Sequence, residues 1–121
     1  MADQGKKSAA NLVENTMGGL NGLYHTIQSI DATATVLTIP SGINNTPAHI
    51  IVENKGETTI YVSFDEDATD ITIPSAGDWG EKGVAIIERK SSKYYCGLFN
   101  TSIVLKRESG ASAEDVYIEI R

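Results

Sequence analysis

Cysteine is nearly missing from this chain. Cys96 is the only one in 121 residues, so no internal disulfide can brace the fold, and stability has to come from packing, within the chain or against other subunits. Histidine is scarce as well: His25 and His49 stand far apart and suggest no metal site. No run of 18 or more apolar residues occurs, which excludes a transmembrane helix of ordinary length, and no membrane partner is expected. A secretory signal is not expected either, because Asn11 and Glu14 interrupt any apolar run after Lys6 and Lys7. Basic residues are outnumbered, 10 Lys and Arg against 16 Asp and Glu, for a net charge of −6. A general nucleic-acid binder needs clustered cations to neutralise phosphate, so nucleic acid is not an expected partner. What remains is one domain's length, 40% hydrophobic and 21% charged, enough for a single modest core.

The aliphatic residues divide along the chain. From residue 31 onward there are 12 Ile and 6 Val against 3 Leu, and β-branched side chains favour pleated sheet over helix. Residues 1–30 hold the other 3 Leu and both Met. Two Lys there balance Asp3 and Glu14, so the whole negative charge sits on residues 31–121. The expected organisation is a near-neutral N-terminal arm, 1–30, followed by an acidic β domain, 31–121.

Eight apolar runs punctuate that domain: Thr33–Ile39, Ala48–Glu53, Thr58–Phe64, Asp70–Ile73, Val84–Arg89, Lys93–Phe99, Ser102–Arg107 and Asp115–Arg121. Glycine- and asparagine-bearing stretches separate them and tolerate the positive φ of tight turns. Several runs alternate. Ile60, Val62 and Phe64 face one way, Thr59, Tyr61 and Ser63 the other; Val116, Ile118 and Ile120 oppose Tyr117, Glu119 and Arg121. Short, evenly spaced strands of this kind predict an antiparallel β-sandwich of jelly-roll type, with an immunoglobulin-like sandwich as the alternative.

In the arm, Val13, Met17, Leu20, Tyr24 and Ile27 recur at 4-3-4-3 spacing, the stripe of an amphipathic helix. Gly18, Gly19 and Gly22 interrupt it, each at a helix cost of about 1 kcal/mol. Such a helix needs a partner surface, and an extended arm is the alternative. The arm's apolar side chains, Leu12, Val13, Met17, Leu20, Leu23, Tyr24, Ile27 and Ile30, are therefore the candidate partner interface, together with Trp79. Trp79, the sole tryptophan, lies in a glycine-rich loop and has three readings: a plug folded over the open end of the sandwich, an interface anchor, or a platform for sugar rings.

Other constellations point to no chemistry. The Asp65–Asp70 run could offer carboxylates to Ca²⁺, but Asp70 and Ala76 occupy the places where an EF-hand needs glycine and glutamate, leaving a solvated turn. Cys96 is expected to be a small buried thiol, without a neighbouring cation to activate it. Glu81 and Glu88 form no recognisable acid–base pair, and Gly18–Gly22 lacks the Lys-Ser/Thr of a phosphate loop. No cofactor and no enzymatic activity are expected.

Three segments carry a resemblance. A hairpin reads Asn54-Lys55-Gly56 through Ile60-Tyr61-Val62, Pro74-Ser75-Ala76-Gly77 follows it, and Ser109-Gly110 leads through Asp115-Val116 into the last run. Over residues 48–121 this resembles the small β-sandwich accessory proteins of tailed bacteriophage particles, such as capsid decoration or cement proteins and head fibres. The resemblance implies a non-enzymatic virion protein on the phage head surface, made in the host cytoplasm. Its implied partners are the major capsid protein or another virion protein and further copies of itself, a trimer being the expected order. A carbohydrate-binding module, using Trp79 with Tyr61 or Tyr117, is the competing function; another virion part, such as a tail or fibre component, is the competing location.

Overall fold

The computed structural model describes residues 24–40, 48–98 and 101–120. They form eight strands: β1 Tyr24–Ile30, β2 Thr35–Thr38, β3 Ala48–Asn54, β4 Ile60–Ser63, β5 Val84–Ile87, β6 Ser92–Leu98, β7 Ser102–Arg107 and β8 Glu114–Ile120. β1 pairs with β8, β2 with β7, β3 with β6 and β4 with β5, all antiparallel. That is the nested pairing of one long hairpin. Two further pairings, β3 with β8 and β4 with β7, roll the ribbon into two four-stranded sheets ordered β1-β8-β3-β6 and β2-β7-β4-β5. This strand order is that of a jelly roll, and it differs from the immunoglobulin-like alternative.

The core lies between the sheets. Ile30, Ile50, Val52, Val116, Ile118 and Ile120 come from one side, and Ile39, Ile60, Val62, Ile87, Ile103 and Leu105 from the other, with Leu37 and Phe64 packed against them. The alternation expected for the runs around Val62 and Ile118 is the one observed. Each aliphatic side chain fully removed from water contributes about 1.5–3 kcal/mol before ordering costs.

Two segments depart from the sequence reading. Tyr24–Ile30, assigned there to the arm and to the tail of a helical stripe, is strand β1, held to β8 over seven consecutive residue pairs. The sandwich imposes this: the apolar inner face of β8 needs a neighbour on both sides, and Ile30, fully buried, supplies part of the core. Tyr24–Ile30 is thus part of the sandwich. In the other departure, Asp70–Ile73 is not a strand. Its backbone is bonded locally: Asp70 Oδ1 accepts from the Ile71 amide at 2.8 Å, and Lys106 Nζ donates to the Ile71 carbonyl at 2.9 Å. Pro74, following directly, has no amide to give to a ladder. Ile71 still buries its side chain. The Ile71 amide and the Lys106 ammonium hold the Asp70 carboxyl below its ordinary pKa.

One end of the sandwich is closed by a buried arginine. Arg107, at the end of β7, is fully buried, on the same face as Ile103 and Leu105. Its Nε donates to the Ile30 carbonyl at 2.7 Å, and Nη1 to Asn54 Oδ1 at 3.0 Å and the Thr58 carbonyl at 2.8 Å. Nη2 donates to the Glu114 and Asp115 carbonyls at 3.2 and 3.4 Å. Asn54 extends the network, donating to the carbonyls of Thr58, Ile87 and Glu88 and accepting from the Gly56 amide at 3.1 Å. One guanidinium and one amide therefore tie β1, β3 and β8 to β5, β7 and the segment leading into β4, an inter-sheet brace in a fold without a disulfide. Asn54 and Gly56 of the hairpin motif are part of this brace.

Gly56 is required there. A Cβ on it would lie 2.4 Å from Glu114 Oε2 and 2.6 Å from Arg107 Nη2, and the guanidinium is bonded on every side. Gly56→Ala is expected to cost about 1–3 kcal/mol as overpacking, read as a lower urea midpoint at unchanged slope; an unaltered midpoint would show that the brace can yield.

Candidate functional site

The candidate interface residues Leu12, Val13, Met17, Leu20 and Leu23 lie outside the described residues. Of the rest, Ile30 is committed to the core, whereas Ile27 is 60% and Trp79 98% exposed. Tyr24, partly exposed, stands at an apolar cleft of about 210 Å³ with Leu37, Pro40 and Ile118. Tyr24 and Ile27 do not share a face, because three residues along a strand reverse the side-chain direction. Ile27 lies opposite Tyr117 on the outer face of its sheet.

Among the described residues strand β1 is an edge strand, and its composition sets it apart from the other three edges. An open edge displays unpaired amides and carbonyls to any passing strand, and proteins blunt such edges by shortness, lysine, proline or bulges. Edges β2 and β5 have only four residues each. Edge β6 carries Lys93, and its pairing with β3 is interrupted by a register shift between Ala48 and Ile50. Edge β1 has seven residues, Tyr-His-Thr-Ile-Gln-Ser-Ile, in unbroken register. It contains no charge, no proline and no glycine, within a domain that carries the chain's entire net charge. It also continues directly from residues 1–23.

A second surface lies on the outer face of the other sheet. The loop between β4 and β5 turns at Ser75–Asp78, where the Asp78 amide donates to the Ser75 carbonyl at 3.0 Å and Gly77 takes a φ of +89° that a side chain would resist. This turn presents Trp79 to solvent, which overturns its reading as a plug. Beside it, Tyr61 and Ile86, opposite each other on β4 and β5, lie on the outward side of their strands because Ile60, Val62 and Ile87 point inward. Trp79, Tyr61, Ile86 and Pro74 line a groove of about 330 Å³, with Asp78 and Glu81 among its lining. Glu81 Oε1 accepts from the Thr72 amide, which anchors that carboxylate. Tyr117, the other aromatic considered with Trp79, is on the opposite sheet.

Cys96 is exposed, not buried as expected. Tyr95 takes the inward position on β6, its ring 4.9 Å from that of Phe64, so alternation turns Cys96 out with Tyr94. Burial raises the Tyr95 phenol above its ordinary pKa. The carboxylates of the 65–70 turn bond within the chain: Asp65 accepts from the Asp67 amide and Glu66 from the Thr101 amide and hydroxyl. Among the described residues no three His, Cys, Asp or Glu converge as metal ligands.

No protein-family model and no curated protein matches the chain. Among solved structures it is similar to a chain of the Bacillus endospore appendages, described as a novel family of disulfide-linked pili: 13% identity, 81% of each chain covered, TM-score 0.50. A likeness at this identity shows a shared fold. It also matches the Tobacco streak virus coat protein at 12% identity over 84% of this chain and 87% of that one, with a TM-score of 0.38.

Proposed function

We propose that this chain is a non-enzymatic structural protein that self-associates, and that it serves as an accessory component of a bacteriophage virion, attached to the major capsid protein on the head surface. The observation that carries the reading is edge β1: long, uncharged, in unbroken register and continuous with the arm. A strand of a second copy laid along it would satisfy its open backbone groups and lengthen the sheet, and the apolar arm would add contacts at the same point of entry. Many such weak contacts across a symmetric particle become lasting attachment through effective concentration. The appendage subunit that shares the fold belongs to a pilus, and the hairpin and loop motifs resemble those of phage decoration proteins.

Lysine on the edge is the direct test, because it repels an incoming strand without touching the core. Ile27 and Ser29 are both exposed, so Ile27→Lys with Ser29→Lys should leave the melting temperature of the isolated domain within a few degrees while converting an oligomer to monomer in sedimentation and reducing pelleting with capsids. A wild-type chain that sediments as a monomer and ignores capsids, or a double variant that assembles normally, would refute the reading.

A further inference from the structure

We propose that the groove between Trp79 and Tyr61 is a binding site for an uncharged sugar ring of a glycan, independent of the assembly surface on the other sheet. The lining combines an apolar aromatic wall with carboxylates. Trp79 is 98% exposed, so its indole faces are free to stack, and Tyr61, Ile86 and Pro74 extend the apolar wall. Asp78 and Glu81 add carboxylate oxygens, acceptors only, to the same groove. A pyranose matches both parts. Its C–H face carries slight positive charge and packs on the negative face of an aromatic ring, while its peripheral hydroxyls donate to carboxylates in charge-assisted bonds. The volume, about 330 Å³, falls within the range of small-ligand clefts, roughly 300–1,000 Å³.

The charge of the lining narrows the ligand. None of the residues lining this groove is basic, and the chain carries a net charge of −6, so sulfated, phosphorylated or sialylated sugars meet repulsion. The same carboxylates argue against a second copy of this chain as occupant. Protein interfaces deplete charge at their centre, and a second acidic body would bring more of the same sign to Asp78 and Glu81.

Because Trp79 is the sole tryptophan, its emission reports on this groove alone. Full-length protein is titrated with neutral oligosaccharides of glucose, galactose, mannose and N-acetylglucosamine, alongside sialylated and sulfated counterparts. At least one neutral oligosaccharide should shift the emission to the blue along a saturable isotherm, with its charged counterpart binding more weakly. By calorimetry, Trp79→Ala should abolish the heat of binding and Tyr61→Ala should weaken binding about tenfold, the loss of one aromatic contact. Asp78→Asn should weaken the neutral sugar and relieve the discrimination against the charged one. Circular dichroism and melting should stay unchanged in Trp79→Ala, whose side chain touches almost nothing. No saturable response across the panel at millimolar sugar would overturn the proposal. So would a Trp79→Ala variant that loses oligomerisation while the wild type ignores every sugar, which would make the groove a contact between copies.

Discussion

Arg107→Met should destabilise the domain by about 3–5 kcal/mol, enough to lower its melting temperature by about 15–30 °C. Methionine fills much the same volume, so the loss is not a cavity. It comes from the acceptors left behind. The buried carbonyl of Ile30 and the partly buried one of Glu114 lose a charged donor, and a buried acceptor deprived of its partner costs about 1–3 kcal/mol. Asn54 Oδ1 and the Thr58 carbonyl keep one donor each, from Gly56 and Asn54, which holds the total below the sum of all the bonds. Arg107→Lys should recover only part of the deficit, since one ammonium cannot reach Ile30 on one side and Asn54 on the other as the planar fork does. Urea unfolding of the three proteins decides the matter: a methionine variant as stable as the wild type would mean that the brace is replaceable by packing alone.

Val62→Asp should be at least as damaging, at about 4–6 kcal/mol, against the 5–15 kcal/mol that a domain ordinarily has. Val62 is fully buried on central strand β4, between Ala85 of β5 and Leu105 of β7, with no cation within the apolar cluster. The aspartate therefore folds only in its neutral form, so its folded pKa lies above the unfolded value of about 3.9. With the folded pKa raised, the folded state holds the proton longer than the unfolded chain, and stability falls as pH rises from about 4. The variant should recover part of its loss below that pH, whereas Val62→Asn should be damaged equally at pH 3 and pH 7. Identical pH profiles for the two would show that the carboxylate had escaped to solvent by a shift of the strand.

Much of the domain was legible in the chain because period-2 alternation is a local signal. Ile60-Tyr61-Val62 and Val116-Tyr117-Ile118 state their inner faces without reference to anything else. The failures share a different origin, in partners distant along the chain. Val13, Met17, Leu20, Tyr24 and Ile27 make a helical stripe on paper, yet Tyr24 and Ile27 belong to a strand because β8 needed a neighbour. Asp70–Ile73 has strand composition, and it is Lys106, on another strand, that draws its backbone away from a ladder. Arg107 keeps the inward rhythm of Ile103 and Leu105, but its partners, the backbone carbonyls of three other segments and the Asn54 side chain, are distant along the chain. Cys96 misled in the opposite sense, since the type is usually covered, and of the three readings of Trp79 only the plug fails. Tyr95 takes the inner place on β6 and turns Cys96 outward, and the turn at Gly77 holds Trp79 away from the body. The groove joining Trp79 to Tyr61 depends on β4 and β5 lying side by side, which no local pattern announces.

The nested pairing has a consequence for how the chain reaches this state. Closing β4 against β5 brings together segments separated by one loop, whereas seating β1 on β8 joins Tyr24 to Ile120 across nearly the whole described chain. The entropic cost of closing the larger circuit is greater by about 1–1.5 kcal/mol, and a topology dominated by such distant contacts folds slowly, on the scale of milliseconds to seconds. If closure follows circuit length, β1 docks last. Until it does, β8 is the open edge of its sheet, and the strand that finally covers it can come from the same molecule or from a neighbour. Dilution during refolding should therefore favour the closed monomeric domain, and crowding on the path to assembly should favour exchange of the first strand between copies.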